Sequence, residues 1–371
     1  MMPSEPAAQT PQPMVDPIDA LAEPAWDTLA TPAMARLAAG LPANAGAPQS
    51  WYASVSSARL HWYDLIAGFP ARPDIHDPVG RYQRRMQFEL EAAAQQHHLL
   101  LAITRPPVRF DPDGAIHWAF FSLKLTLPLL VGREQRRSHI SFELTVPFAA
   151  TLKKPIVSLT PNFVTLNWGG LVEAFSVHDI MQAHGPEQAP AQVFYVGQTR
   201  DPDARLAHAR LPALQKRHAR HKEDFDTLLL VQQLDVHVNC ADGDPAALPQ
   251  YAHPRAAAVL QGERMDVLEA ALIRYFEGAA PLSRKPDERT LRRARLSAVQ
   301  GANHLVQFTI DLQWPELGAY GTLGAEAAPA APRHLLSCFI ADGEAIVSRM
   351  PAPEPATGET APARKKLRGK L

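Results

Sequence analysis

Apolar and polar positions alternate along several stretches of the chain. Ser141-Phe142-Glu143-Leu144-Thr145-Val146 repeats with period two, the pattern of a half-buried strand, within a strand candidate spanning 139–148. Further strand candidates are 99–103, 115–130, one or two within 155–168, 193–196, 227–231 with an extension to 238, 304–312, 335–340 and 345–347. Helical spacing shows elsewhere. Tyr82, Met86, Phe88 and Leu90 predict a helix over 80–96, and Met265, Leu268, Leu272, Ile273 and Phe276 predict one over 263–276 that Gly278 stops. Pro212 divides a third helical stretch into pieces at 202–210 and 212–222. Ser176-Val177-His178-Asp179 reads as a strand end or helix cap before Ile180–His184. Asp111-Pro112-Asp113-Gly114 and Gly169-Gly170 mark turns.

Composition divides the 371 residues further. Residues 1–48 are rich in Ala and Pro and read as a loose arm, and 349–371 as a disordered tail that ends in a basic run. Between them the expectation is a mixed α+β unit over 50–170, a second unit over 171–295 and an extension over 296–348. Net charge is −1, so any affinity for a polyanion must be local. Two cysteines, Cys240 and Cys338, are too few for a disulfide framework and fit a reducing, cytoplasmic compartment. No apolar run approaches the ~18 residues of a membrane span, so no membrane partner is expected. The N-terminus carries no basic segment followed by an apolar one, and a secretory leader is not expected either.

Chemistry concentrates between Gln192 and Arg295. Val193-Phe194-Tyr195-Val196 is broken by Gly197. Asp201-Pro202 then supplies an N-cap and a first-turn proline, with Arg205 one turn inside. A strand, a glycine turn and a helix start carrying a cation make a place where an anion can sit. Glu269 lies on the apolar stripe of its helix, where a carboxylate is costly unless it reaches water, pairs with a cation or holds a metal. Basic residues crowd two runs. Arg200, Arg205, Arg210, Lys216, Arg217, Arg220 and Lys222 form the first, and residues 284–295 the second. Such patches are either solvated faces or a footprint for a polyanion. His97-His98 read as surface polarity at a helix end. His237 and Cys240 lack the second pair that a zinc site needs.

The order of these pieces resembles the GIY-YIG nuclease superfamily, which includes homing endonucleases and the excinuclease C subunit. Phe194-Tyr195-Val196-Gly197 looks like the YIG element, and the stretch to Arg205 like the turn and helix that carry the family's arginine. Thr227–Val231 is similar to the third strand. Glu269, in Leu268-Glu269-Ala270-Ala271-Leu272-Ile273, looks like the metal-binding glutamate. The resemblance covers about residues 171–295. It implies an α+β protein with a small α/β/α domain on a short antiparallel sheet, preceded by a separate α+β domain. It further implies a Mg²⁺-dependent endonuclease acting on nucleic acid, DNA being favoured. In that reading Glu269 holds the Mg²⁺, Arg205 neutralises phosphoryl charge and Tyr195 positions the attacking water. The region 50–170 would select a target or a protein partner.

Three departures from the family pattern stand out. No tyrosine-bearing GIY strand precedes Tyr195, so Leu171–Val177, with Phe175, is the candidate first strand. His208 stands one position away from the usual histidine. Ser283 follows Pro281-Leu282 where the family has asparagine. The alternative is therefore a catalytically inactive module that retains the fold and binds nucleic acid or another partner.

Overall fold

The first strand among the described residues is one that the sequence pattern barely announces. In a computed structural model describing residues 48–67, 72–93, 97–186, 189–199, 212–221, 223–240, 254–278 and 286–351, β1 runs over Gln49–Trp62. It buries Trp51, Ala53 and Trp62 and shifts register between Val55 and Ser57. It leads into the short helix α1 (Tyr63–Ala67) and then α2 (Pro78–Ala92). Asp77 caps α2 by accepting from the Gly80 amide at 2.9 Å.

The chain then builds two small sheets. After β2 (His98–Arg105), the strands β3 (Val108–Phe110), β4 (His117–Trp118), β5 (Lys124–Val131) and β6 (Arg136–Glu143) form one, with β5 at its centre. The meander β7 (Ile156–Leu159), β8 (Phe163–Asn167) and β9 (Val172–Ser176) forms the other. Helix α3 (Val177–His184) starts from a capping box in which the Ser176 hydroxyl and the Asp179 carboxylate each take the other residue's backbone amide.

The remaining elements return to the main sheet. They are β10 (Ala191–Thr199), α4 (Pro212–His221), β11 (Asp226–Cys240), α5 (Pro254–Leu272), α6 (Pro286–Asn303), β12 (Leu305–Gln313), β13 (Leu323–Gly324), β14 (Arg333–Ala341) and β15 (Glu344–Arg349). Helix α5 widens into a π-turn at Ile273–Glu277, and Gly278, at φ 86°, ends it. A 3₁₀ segment, Pro315–Tyr320, follows β12.

Eight strands share the main sheet in the order β13-β10-β2-β11-β1-β12-β14-β15. Strands from 50–170, 171–295 and 296–348 therefore interleave in one layer. The expected short antiparallel sheet corresponds at most to the β10-β2-β11 portion, whose middle strand comes from residues 98–105. The proposed first strand lies elsewhere, because Val172–Ser176 pairs with β8 in the meander. The tight turn at Gly169-Gly170, both with positive φ, closes that hairpin locally, so β9 pairs with its chain neighbour. His97 and His98 are also corrected: both are buried, and His98 opens β2 opposite Thr199.

Register assigns the two faces of the main sheet. Tyr195, Ala102, Leu229 and His61 form a row on one face, and Gln198, Leu99, Gln232 and Ala58 form a row on the other. Helix α4 lies against the first face, where His218 Nδ1 is 3.5 Å from Thr227 Oγ1 and stacks edge-on to Tyr63 of α1. Helix α5 lies against the second, and there the Tyr275 hydroxyl meets His334 Nδ1 at 2.8 Å.

Burial pushes His61 down to about 4, helped by the charge of Arg59. Burial also pushes His334 down to about 4, against its hydrogen bond to the Leu323 carbonyl. Both rings are neutral when folded and gain protons near the ordinary imidazole value when unfolded. Stability is then full above about pH 6.5 and falls as pH drops toward 4, by up to about 3 kcal/mol per ring. Urea denaturation at pH 7.5 and pH 5 should show the protein weaker at pH 5. His61→Leu should flatten part of that slope, and an unchanged slope in the variant would mean His61 has no share in it.

Candidate functional site

Tyr195, Gly197 and Gln198 sit on the last turns of the pleat in β10. Gly197 shares a face with Tyr195, two positions away, and the tyrosine ring lies over it. A Cβ built at Gly197 would stand 2.9 Å from both Tyr195 Cε1 and the hydroxyl oxygen. The missing side chain thus lets the ring lean along the strand and carries the hydroxyl toward the end from which residues 200–211 depart. Gln198 leaves the opposite face. Its amide donates to Asp266 Oδ1 at 2.5 Å and to Glu269 Oε2 at 3.3 Å. Asp266 and Glu269 are one turn apart on α5, so their carboxylates line up on one stripe.

The sequence-predicted residues fall into three groups. Tyr195, buried, and Glu269, half-buried, reach the same end of β10 from opposite faces of the sheet. Arg220 is exposed on α4, the helix that also carries Lys216 and Arg217. Arg200, Arg205, His208, Arg210 and Lys222 lie outside the described residues, as do the side chains of Lys216 and Arg217. Asp266 and Gln198 are additions that the sequence reading passed over. Both stood in view, Gln198 directly after the glycine and Asp266 one turn before Glu269. Two carboxylates suit a Mg²⁺ ion, which takes one or two such ligands and keeps water on its other positions. Among the described residues, no His, Cys, Asp and Glu side chains gather into a three-ligand cluster.

A second constellation is buried. Asp226 opens β11 with no exposed surface and receives three groups. Arg109 makes a two-pronged contact, with Nη1 to Oδ2 and Nη2 to Oδ1, both at 2.8 Å. The Val108 amide donates at 2.9 Å, and His178 Nε2 stands 3.1 Å away. The other ring nitrogen, His178 Nδ1, is 2.9 Å from the Tyr320 hydroxyl. Burial pushes the Tyr320 hydroxyl up. Burial also works to raise the Asp226 carboxyl, but the His178 hydrogen bond and charge and then Arg109 outweigh it and hold it below the usual range. Trp62 packs edge-on to His178 and under Arg109. Around a carboxylate with no exposed surface, this chain of groups joins the sheets.

Gly197→Ala tests the fit at the strand end. The new methyl group must displace a buried ring, which should cost about 1–3 kcal/mol in chemical denaturation. Combined with Tyr195→Ala, the two losses should fall short of their sum by at least about 1 kcal/mol, because the ring that the methyl would strike is gone. Additive losses would mean that the ring does not rest on the glycine.

Set beside protein families, curated proteins and solved structures, the chain matches none of them.

Proposed function

We propose that the protein is a divalent-metal-dependent phosphodiesterase acting on nucleic acid, with its site at the C-terminal end of β10. The observation that carries the reading is the convergence of Asp266 and Glu269 on Gln198, at the strand end toward which the Tyr195 hydroxyl leans. The resemblance of Tyr195–Arg205 and Glu269 to the GIY-YIG superfamily supports it.

Glu269 and Asp266 would hold the Mg²⁺, which when bound supplies a Lewis acid for a phosphoryl oxygen. Gln198 keeps the two carboxylates aligned, and its amide can turn to offer oxygen where it now offers nitrogen. Arg205, six residues past Thr199, would neutralise charge growing on the phosphoryl oxygens. Tyr195 would orient water from the opposite side of the strand end.

A second reading has its own support. Tyr195 is buried on the face away from Glu269, which suits a protein that keeps the fold and binds nucleic acid without cutting it.

Plasmid and single-stranded substrates incubated with Mg²⁺ separate the two readings. Cleavage should be lost with EDTA and fall at least about a hundredfold in Glu269→Gln, with the circular dichroism spectrum unchanged. Undiminished cleavage by Glu269→Gln would remove the assigned site. Binding without cleavage by the unaltered protein would establish the second reading.

A further inference from the structure

Among the described residues, no helix covers the outer face of the small sheet β3–β6. Its strands present Thr126, Ser141, His139 and Arg137 outward, while Leu125, Leu127, Ile140 and Phe142 point into the core. The loop after β3 stands beside this face and makes a trough of about 550 Å³, lined among others by Asp111, Asp113, His117 and His139. Arg137 lies across it, 3.9 Å from Asp111.

At one end of the same sheet the aromatic residues come to the surface. Phe120 and Phe121, on the tight loop between β4 and β5, are 90% and 95% exposed and stand edge to face at 4.6 Å. Phe148, on the segment that leaves β6 at this end, is also fully exposed. Lysines lie at the same end. Lys124 begins β5, and Lys154 Nζ sits 4.5 Å from the centre of the Trp118 ring with Lys153 beside it in sequence. The aromatic end and the trough are continuous, since His117 precedes Trp118 in β4 and Thr126 lies two residues past Lys124.

Large exposed aromatic side chains at a loop tip are costly to keep in water and mark contact surfaces. The charge states the sign of the partner. From Asp111 to Lys154, a stretch that takes in the trough, the chain carries six Lys and Arg (124, 133, 136, 137, 153 and 154) against four acids, Asp111, Asp113, Glu134 and Glu143. An anionic bilayer would also meet phenylalanines and lysines, but it ends at a plane and has nothing to place in a trough of imidazoles, hydroxyls and carboxylates. A duplex keeps its bases stacked inside. A single-stranded polynucleotide offers all three groups needed: flat bases for the rings, phosphates for the lysines and base edges for the trough. Carboxylates in the trough accept from exocyclic amino groups, as they do in base recognition elsewhere.

We infer that the open face of β3–β6, with the Phe120–Phe121 loop at its end, is a docking surface for single-stranded nucleic acid. It rests on residues distinct from the β10 site and holds whether or not that site cuts. The test is fluorescence anisotropy of the full-length protein in EDTA, which removes metal-dependent cleavage, at low salt. The probes are a labelled 20-nucleotide single strand, the matching duplex and phosphatidylserine vesicles. The single strand should bind more tightly than the duplex, and the affinity should fall as salt rises. The double variant F120A/F121A, altered only at exposed positions, should bind the single strand at least about tenfold more weakly. Equal affinity of variant and parent, equal affinity for duplex, or binding confined to the vesicles would each overturn the assignment, the last in favour of a membrane surface.

Discussion

A single carboxylate with no access to water holds the three sheets in register. Asp226 belongs to the main sheet, Val108 and Arg109 to the second, and His178 to the helix that follows the third. A charge in that position is tolerated because Oδ2 gathers the Val108 amide, Arg109 and His178 while Oδ1 faces the second prong of the Arg109 guanidinium, and removing one partner from such an arrangement costs about 3–5 kcal/mol. The Tyr320 hydroxyl extends the same chain into the 3₁₀ segment after β12. Four regions far apart in sequence thus share one electrostatic centre, and that centre ties the small sheets to the main one.

Much of the secondary structure was legible because it is local. Helix α2 lies within two to four residues of its expected bounds, as do β2, β12, β14 and β15, and Pro212 and Gly278 end or begin helices as their backbone chemistry demands. The sheet itself was not legible. β1 breaks its alternation at a bulge and mixes serines among its aromatic residues, and its partners in β11 lie 166 to 191 residues further on. Helix α6 was hidden behind its charge: its basic residues read as a patch, and only Leu296 and Val299 among its apolar side chains are fully enclosed. Division by composition suggested units in series, whereas the pairing weaves them together.

The candidate site was half visible for a similar reason. Glu269 stood out as an acid on an apolar stripe, which is a local anomaly. Its neighbours could be found only by knowing which strand the helix crosses. Asp226 gave no signal at all, since one acid ahead of an apolar run looks like any strand start. The GIY tyrosine that the resemblance calls for is also a matter of pairing, because the strand in register with β10 is His98–Thr104 and carries no tyrosine.

The edge of β10 explains why the carboxylates of α5 face Gln198 and not the core. Past Gln192, β10 has β2 on one side and, among the described residues, no strand on the other, so its outward amides need acceptors. The Val196 amide finds one in Glu277 Oε1, at 2.8 Å. Contacts thus run from Gln198 with Asp266 and Glu269 to Val196 with Glu277, which means that the helix travels counter to the strand. Eight residues of straight α-helix rise about 12 Å, while two residues of strand span about 7 Å. The helix must therefore cross the strand obliquely, and the π-turn at Ile273–Glu277 changes its pitch within that interval. Tyr275 fixes the same turn from the other direction through His334. Anchored at Glu277 and at Tyr275, α5 has little freedom to rotate, and Asp266 and Glu269 stay aimed at the strand end.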